Sequence, residues 1–240
     1  MKSVLAAAGL ACASFGATPA VADPGFGEEV YGATIEPGET EVEAQWGRLA
    51  GGADDGEDGL KLEAAHNFID RVRAAVAVEF EREAGGSREA EALSAEAIYR
   101  LGRVGGIDAA VYGEYEIGFD GPEGVETKLL LQRRAGPWDL RLNLIAKKEL
   151  KHGAPVALGY AASADVAAIG DLRLGFEAFG ELGTTRKLLP RAEHFAGPAG
   201  KLKIEGLGPE LELRAGYLFA LGEAKDTSDG QLRIGLEIEF

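Results

Sequence analysis

Ile107-Asp108-Ala109-Ala110-Val111-Tyr112-Gly113-Glu114-Tyr115-Glu116-Ile117 decides the fold of this 240-residue chain. Ile107, Ala109, Val111, Gly113, Tyr115 and Ile117 form one series; Asp108, Ala110, Tyr112, Glu114 and Glu116 form the other. Successive side chains of a strand point to opposite faces, so a step of two builds one apolar and one polar face, whereas a helix repeats every 3.6 residues. Val72, Ala74, Val76, Val78 and Phe80 likewise alternate with Arg73, Ala75, Ala77, Glu79 and Glu81. Trp138, Leu140, Leu142, Leu144 and Ala146 oppose Asp139, Arg141, Asn143, Ile145 and Lys147. Arg88 to Arg100 is rich in Glu and Ala and suits a helix, yet Leu93, Ala95, Ala97, Tyr99 and Leu101 keep the two-residue step.

The pattern predicts about twelve strands, near 39–49, 59–68, 72–82, 91–101, 107–117, 125–133, 137–148, 155–164, 171–180, 193–205, 210–221 and 230–240. Most exceed the usual five or six residues and match the roughly 9–11 that a tilted strand needs to cross a bilayer. Pro198, beside Gly197 and Gly200, leaves 193–205 open as a strand or as a long loop with a short strand. The connections alternate. Longer polar ones (50–58, 83–90, 118–124, 149–154, 181–192, 222–229) take turns with tight ones at 69–71, 102–106, 134–136, 165–170 and 206–209. That is an up-and-down antiparallel meander with both ends on the short-turn side.

Composition removes several classes. Hydrophobic residues make up 46% of the chain, too many for disorder, and the 35 glycines have no three-residue period. A formal charge of −15 opposes nucleic-acid binding, which depends on neutralising phosphates. Met1-Lys2-Ser3, the uncharged run from Val4 to Ala17 and the small-x-small Ala20-Val21-Ala22 predict a secretory leader over residues 1–22, removed before Asp23. Cys12, the only cysteine, would leave with it; a lipoprotein reading of Cys12 conflicts with Leu10, one place from where a lipobox sets its leucine. Residues 23–38 then form an N-terminal periplasmic segment and 39–240 the β-barrel.

A sheet with one apolar face is either a soluble barrel, apolar side inward, or a membrane barrel, apolar side outward. Four features favour the membrane. The apolar stripes carry one clear ionisable group, His66, while the opposite stripes alternate acids and bases. Aromatic residues gather at strand ends as two girdles: Phe68, Tyr99, Trp138 and Phe240 toward the short turns, Phe80, Tyr115 and Phe219 toward the long loops. The sequence stops on Phe240, directly after an alternating strand, and an even-numbered sheet can close without leaving an unpaired edge.

In these respects the chain resembles Gram-negative outer-membrane β-barrels. Leu232, Ile234, Leu236, Ile238 and Phe240 match the C-terminal pattern that such proteins present to the barrel-assembly machinery. The resemblance implies export through the Sec route, delivery to the outer membrane and outer-membrane lipids as partners. It names no substrate.

The inward stripes offer Glu63, Arg73, Glu79, Glu96, Arg100, Glu114, Glu126, Lys128, Arg141, Arg173, Glu177, Arg214 and Arg233 as lumen charges. They read either as a constriction that selects small-molecule permeants, cations foremost, or as cross-strand ion pairs filling a narrow lumen. About twelve strands lie between filled eight-stranded barrels and open porins of 16–18. The acidic loop Ala53–Gly59 lacks EF-hand spacing, and His66, His152 and His194 are too scattered for a zinc pair. No cofactor or metal is expected. No Gly-x-Ser-x-Gly elbow surrounds Ser87, Ser94, Ser163 or Ser228, so catalysis is not the expectation. A small channel and a non-conducting surface barrel remain as the two readings, with a lipid-modifying enzyme behind them.

Overall fold

The computed structural model describes Phe26, residues 28–206 and residues 208–240. The leader expected over 1–22, with Cys12, lies outside these described residues. The strands are β1 (Thr40–Ala50), β2 (Asp58–Ile69), β3 (Val72–Arg82), β4 (Glu89–Val104), β5 (Ile107–Gly118), β6 (Gly124–Ala135), β7 (Trp138–Glu149), β8 (Ala157–Ile169), β9 (Leu172–Thr184), β10 (Lys187–Leu188), β11 (Glu193–Ile204), β12 (Glu210–Gly222) and β13 (Gly230–Glu239). Each long strand pairs antiparallel with its sequence neighbour, β9 pairing with both β8 and β11, and β1 pairs with β13. The ring is therefore a closed twelve-strand barrel. β10 is a two-residue hairpin on β9, and Glu223–Asp226 is one turn of 3₁₀ helix in a long loop.

Tight turns follow from glycine. Between β4 and β5, Gly105 (φ 61°) and Gly106 (φ 82°) both take positive φ, as a two-residue hairpin turn matched to strand twist demands. Pro198 sits inside β11, settling the open reading of 193–205. It pairs with Phe176 on the β9 side, while the β12 register skips Gly197 and Pro198, so the missing N–H falls where the ladder is already interrupted.

The apolar stripes face outward. Val76 is 58% exposed and Ile234 45%, whereas their strand neighbours Ala75, Ala77 and Arg233 are buried. A soluble barrel would invert this. Phe68, Tyr99, Trp138 and Phe240 are exposed at the short-turn end; Tyr115 and Phe219 are exposed and Phe80 half-buried toward the long loops. Leu232, Ile234 and Leu236 point outward on β13, and Ile238 is half-buried beside them. His66 belongs to the same surface, its Nδ1 3.0 Å from Thr40 Oγ1 and its ring edge-on to Phe68.

The sequence reading gave residues 23–38 no place in the barrel, but in the structure residues 28–35 occupy its lumen. Gly38 N donates to Asn67 O (2.7 Å) at the short-turn end, and Phe26 packs on Gly47 and Gly59 toward the long loops. The segment thus runs back along the inside, antiparallel to β1. Tyr31, Ala33 and Ile35 bury against Ile98, Ala110, Tyr112 and Leu130; Val30 joins Phe179, Phe195 and Leu218. From Tyr31 to Ile35 buried and half-buried residues alternate, as in a strand, but among the described residues no sheet partner is involved.

The outward assignment is testable at mid-strand. Val76→Lys or Leu142→Lys should each destabilise the bilayer-inserted protein by about 2–4 kcal/mol, the cost of a base on the lipid face near the midplane. Denaturant titration in lipid vesicles would measure it, and no loss would contradict an outward-facing apolar stripe.

Candidate functional site

The lumen is built by the second series of every strand. All thirteen charges assigned to it from sequence are buried or half-buried. Several share partners across strands. Lys61 Nζ lies 2.7 Å from Glu96 and 3.4 Å from Glu63; Arg73 Nη2 lies 2.7 Å from both Glu41 and Glu63. Arg214 contacts Glu29 and Glu43 at 2.8 Å, Glu212 at 2.6 Å, and Glu237. Arg141 bonds Asp139, Arg173 bonds Asp165 and Arg100 reaches Asp108 (3.5 Å). Glu126 pairs with Lys128 at 3.0 Å, and Glu114 accepts the Tyr112 hydroxyl at 2.7 Å. Glu79 and Glu177 line cavities on either side of the segment. Arg233 lies over the Phe179 ring, 4.2 Å from its centre. Charges shared this way recover more of their desolvation cost than isolated pairs.

The N-terminal segment enters this network through main chain and side chain. Tyr31 N donates to Asn143 Oδ1 (2.8 Å), and Asn143 Nδ2 donates to Tyr31 O (3.1 Å). Ala33 N donates to Gln132 Oε1 (3.0 Å), Arg141 donates to Val30 O (3.1 Å), and Arg233 donates to Glu28 O. Lys128 Nζ holds Glu28 at 2.6 Å, and Lys61 Nζ donates to the Tyr31 hydroxyl at 3.1 Å. The Tyr31 and Tyr112 rings lie 5.1 Å apart, with Lys128 4.8 Å and 4.7 Å from their centres.

Phe26 needs a floor without side chains. Gly47 and Gly59 are register partners on β1 and β2; a Cβ on Gly47 would lie 2.8 Å from Phe26 O, and one on Gly59 2.6 Å from Phe26 Cβ. Below the segment, at the short-turn end, lies a cavity of about 710 Å³; above it, near the long loops, is one of about 70 Å³. Tyr31 borders both. At the lower mouth, Glu39 accepts from Asn67 Nδ2 (3.1 Å). Burial, and then the neighbouring Glu36 and Glu41 carboxylates, raise its pKa above the ordinary value.

Other candidates have ordinary partners. Asp58, in the acidic loop, is turned to Arg82 and Arg88, and Asp55 accepts from Gly51 N (2.9 Å). The Glu29, Glu43 and Glu237 carboxylates converge within 4.8 Å, but Arg214 contacts all three. Ser87 bonds Glu89, Ser94 bonds Glu96, and Ser228 bonds Ala224 O, while His194 meets Tyr160. No serine–histidine hydrogen bond occurs among the described residues. The sequence reading had Asn143 only as one residue of an inward series, gave Gln132 no role, and placed residues 23–38 in the periplasm with no part in the lumen. The signal for the segment was there: Tyr31, Ala33 and Ile35 repeat the two-residue step ahead of β1.

No protein-family model and no curated protein matches the sequence. Solved structures do. An outer-membrane channel from Pseudomonas putida F1 superposes with a TM-score of 0.60 at 10% identity, over 85% of this chain and 96% of its own. The KdgM porin superposes at 0.57 and 11% identity, over 83% and 98%. The same porin in complex with disordered oligogalacturonate gives 0.56 and 10%, over 84% and 98%. The chain therefore has the fold of outer-membrane porin and channel barrels.

Removing the main-chain clamp should loosen the segment. Asn143→Ala leaves a buried donor and acceptor of Tyr31 unpaired, a cost of about 1–3 kcal/mol. A glutamyl endopeptidase should then cleave at Glu28, Glu29 or Glu36 faster than in the unaltered protein while the barrel stays intact. Equal cleavage rates would show that the clamp does not hold the segment.

Proposed function

We propose that this protein is an outer-membrane channel for small solutes, closed in this conformation by Phe26 and residues 28–35 and favouring cations when open. The observation that carries the reading is how the segment is held. Between residues 26 and 36 its main chain makes no backbone–backbone hydrogen bond among the described residues, so it can leave without opening the ladder of the barrel. The 710 Å³ cavity that leads to it supports the charge preference: twelve lining residues are Asp or Glu and seven are Lys or Arg. A ring of excess carboxylate attracts cations and repels anions. Oligogalacturonate, the ligand named for one similar porin, bears a carboxylate on each sugar, and an acidic lumen disfavours that class.

A disulfide tests the gate. In a chain carrying Cys12→Ser, Phe26→Cys and Gly47→Cys place two thiols where Phe26 rests on β1; their Cβ atoms start 3.2 Å apart, and a lift of residue 26 by about half an ångström both relieves the 2.8 Å approach to its carbonyl oxygen and reaches disulfide distance. Planar-bilayer recordings should show no current when the pair is oxidised and current after reduction. Equal current in both states would mean that the segment does not close the path. Silence in both states and in the Cys12→Ser parent would favour a non-conducting surface barrel, the reading suggested by Lys61, Arg73 and Arg214 each bonding more than one carboxylate.

The selectivity has a pH signature. A carboxyl whose pKa is raised loses its negative charge earlier as pH falls, so Glu39 neutralises ahead of an ordinary glutamate. Reversal potentials of the reduced channel under a KCl gradient should show cation preference declining from pH 7 to pH 4, with Glu39→Gln blunting the first part of the decline. A preference that is flat or rises over this range would remove the acidic lumen as its cause.

A further inference from the structure

Residues 28–33 are recognised by the barrel as a peptide, main chain first. Asn143 has no exposed surface, and its one carboxamide both donates to and accepts from Tyr31, which reads the peptide unit and ignores the side chain. Gln132, 1% exposed, takes the Ala33 N–H, and Arg141 takes the Val30 carbonyl. These groups project from β6 and β7, where Gln132, Arg141 and Asn143 are each paired in the ladder on both sides. Gln132 Nε2 and Arg141 also hold Asp139, but the Gln132 carbonyl oxygen and the Asn143 carboxamide are turned to the segment, and an empty lumen would leave them without these partners, at the cost that attends unpaired buried amides.

Side-chain recognition is laid over this frame. Glu28 meets Lys128 (2.6 Å) and Glu29 meets Arg214 (2.8 Å), from opposite sides of the segment. The Tyr31 ring enters a pocket floored by Tyr112, with its hydroxyl beside Lys61 (3.1 Å) and Glu96 (3.3 Å). Two cationic subsites followed by an aromatic one, spaced along a line of main-chain acceptors and donors, describe a sequence-selective peptide site.

We propose that the lumen is a binding site for extended peptides with an acidic pair just ahead of an aromatic residue, and that residues 28–33 fill it in cis. A free peptide of this class competes with the resident segment. The inference rests on the channel reading only for the route by which a peptide arrives. A tethered ligand acts at millimolar effective concentration, so a free peptide meets an occupied site until the tethered copy is weakened.

The experiment uses a fluorescein-labelled peptide of residues 26–36 and the full chain in detergent micelles, read by fluorescence anisotropy. Glu29→Ala with Tyr31→Ala weakens the tethered copy, and this variant should bind the peptide at least tenfold more tightly than the unaltered protein. Adding Asn143→Leu to it should lose at least tenfold. Because that substitution alters the barrel interior, the peptide is also made with an N-methyl group at the residue matching Tyr31, which deletes the donor to Asn143 in an unchanged protein; it too should bind at least tenfold more weakly. Equal binding to the unaltered and weakened chains, or full affinity of the N-methyl peptide, overturns the proposal. Bilayer current measured on the same preparations separates the two readings: conduction without peptide binding defeats only this inference, and peptide binding without conduction defeats only the channel.

Discussion

Hydrocarbon offers no hydrogen bond, so every main-chain N–H and C=O in the membrane must find its partner within the sheet. The seam between β1 and β13 meets that demand, pairing Glu41–Ala50 with residues 230–239 and turning an open meander into a ring. Once the ring closes, the two faces of each strand have separate fates. The outer one must be apolar over the whole bilayer thickness, and the inner one receives whatever polar groups the alternation leaves. Thr40 and Phe240 complete the seam at the short-turn end with reciprocal bonds of 3.3 and 2.9 Å.

The inner face poses two problems, and the N-terminal segment bears on both. Carboxylates outnumber bases around the large cavity, where Arg214 is shared between barrel acids and Glu29; beside the smaller cavity Lys128 is shared between Glu126 and Glu28. The inner face also carries apolar residues, among them Ile98, Leu130, Phe179 and Leu218, that water would otherwise cover. Val30, Ala33 and Ile35 pack on them, which favours residence of the segment by the ordinary hydrophobic term. Residence therefore does not need sheet pairing, and the segment keeps its independence from the fold that encloses it.

The strand pattern was legible because inside and outside differ so sharply in a membrane barrel. β3 spans 72–82 as the alternation predicts, and the ends of β1, β2, β5, β6 and β7 fall within two residues of those expected. β8 and β9 run on to Ile169 and Thr184, past their expected ends. There, register shifts near Ala167 and Leu158 break the two-residue step, and small residues such as Ala167 and Ala168 blur the contrast between faces. The two-residue β10 and the single 3₁₀ turn are too short to have a period. Which charges line the lumen could be inferred from face alone, but their pairing could not: Arg214 meets Glu29 across 185 positions of sequence. Asn143 and Gln132 carried no signal at all, since a polar residue on an inward face is expected whether or not it clamps a peptide.

The attachment point of the segment has a consequence for how the molecule is put together. Glu36–Glu39 tether it to β1, and β1 forms one half of the closing seam with β13. Barrel closure joins the first and last strands of the ring, the most sequence-distant pairing in the sheet and thus among the slowest to form. A segment joined to β1 thus lies beside the seam when the cylinder seals, and because side chains and not the sheet hold its main chain, it stays free to leave and return by the short-turn mouth afterwards.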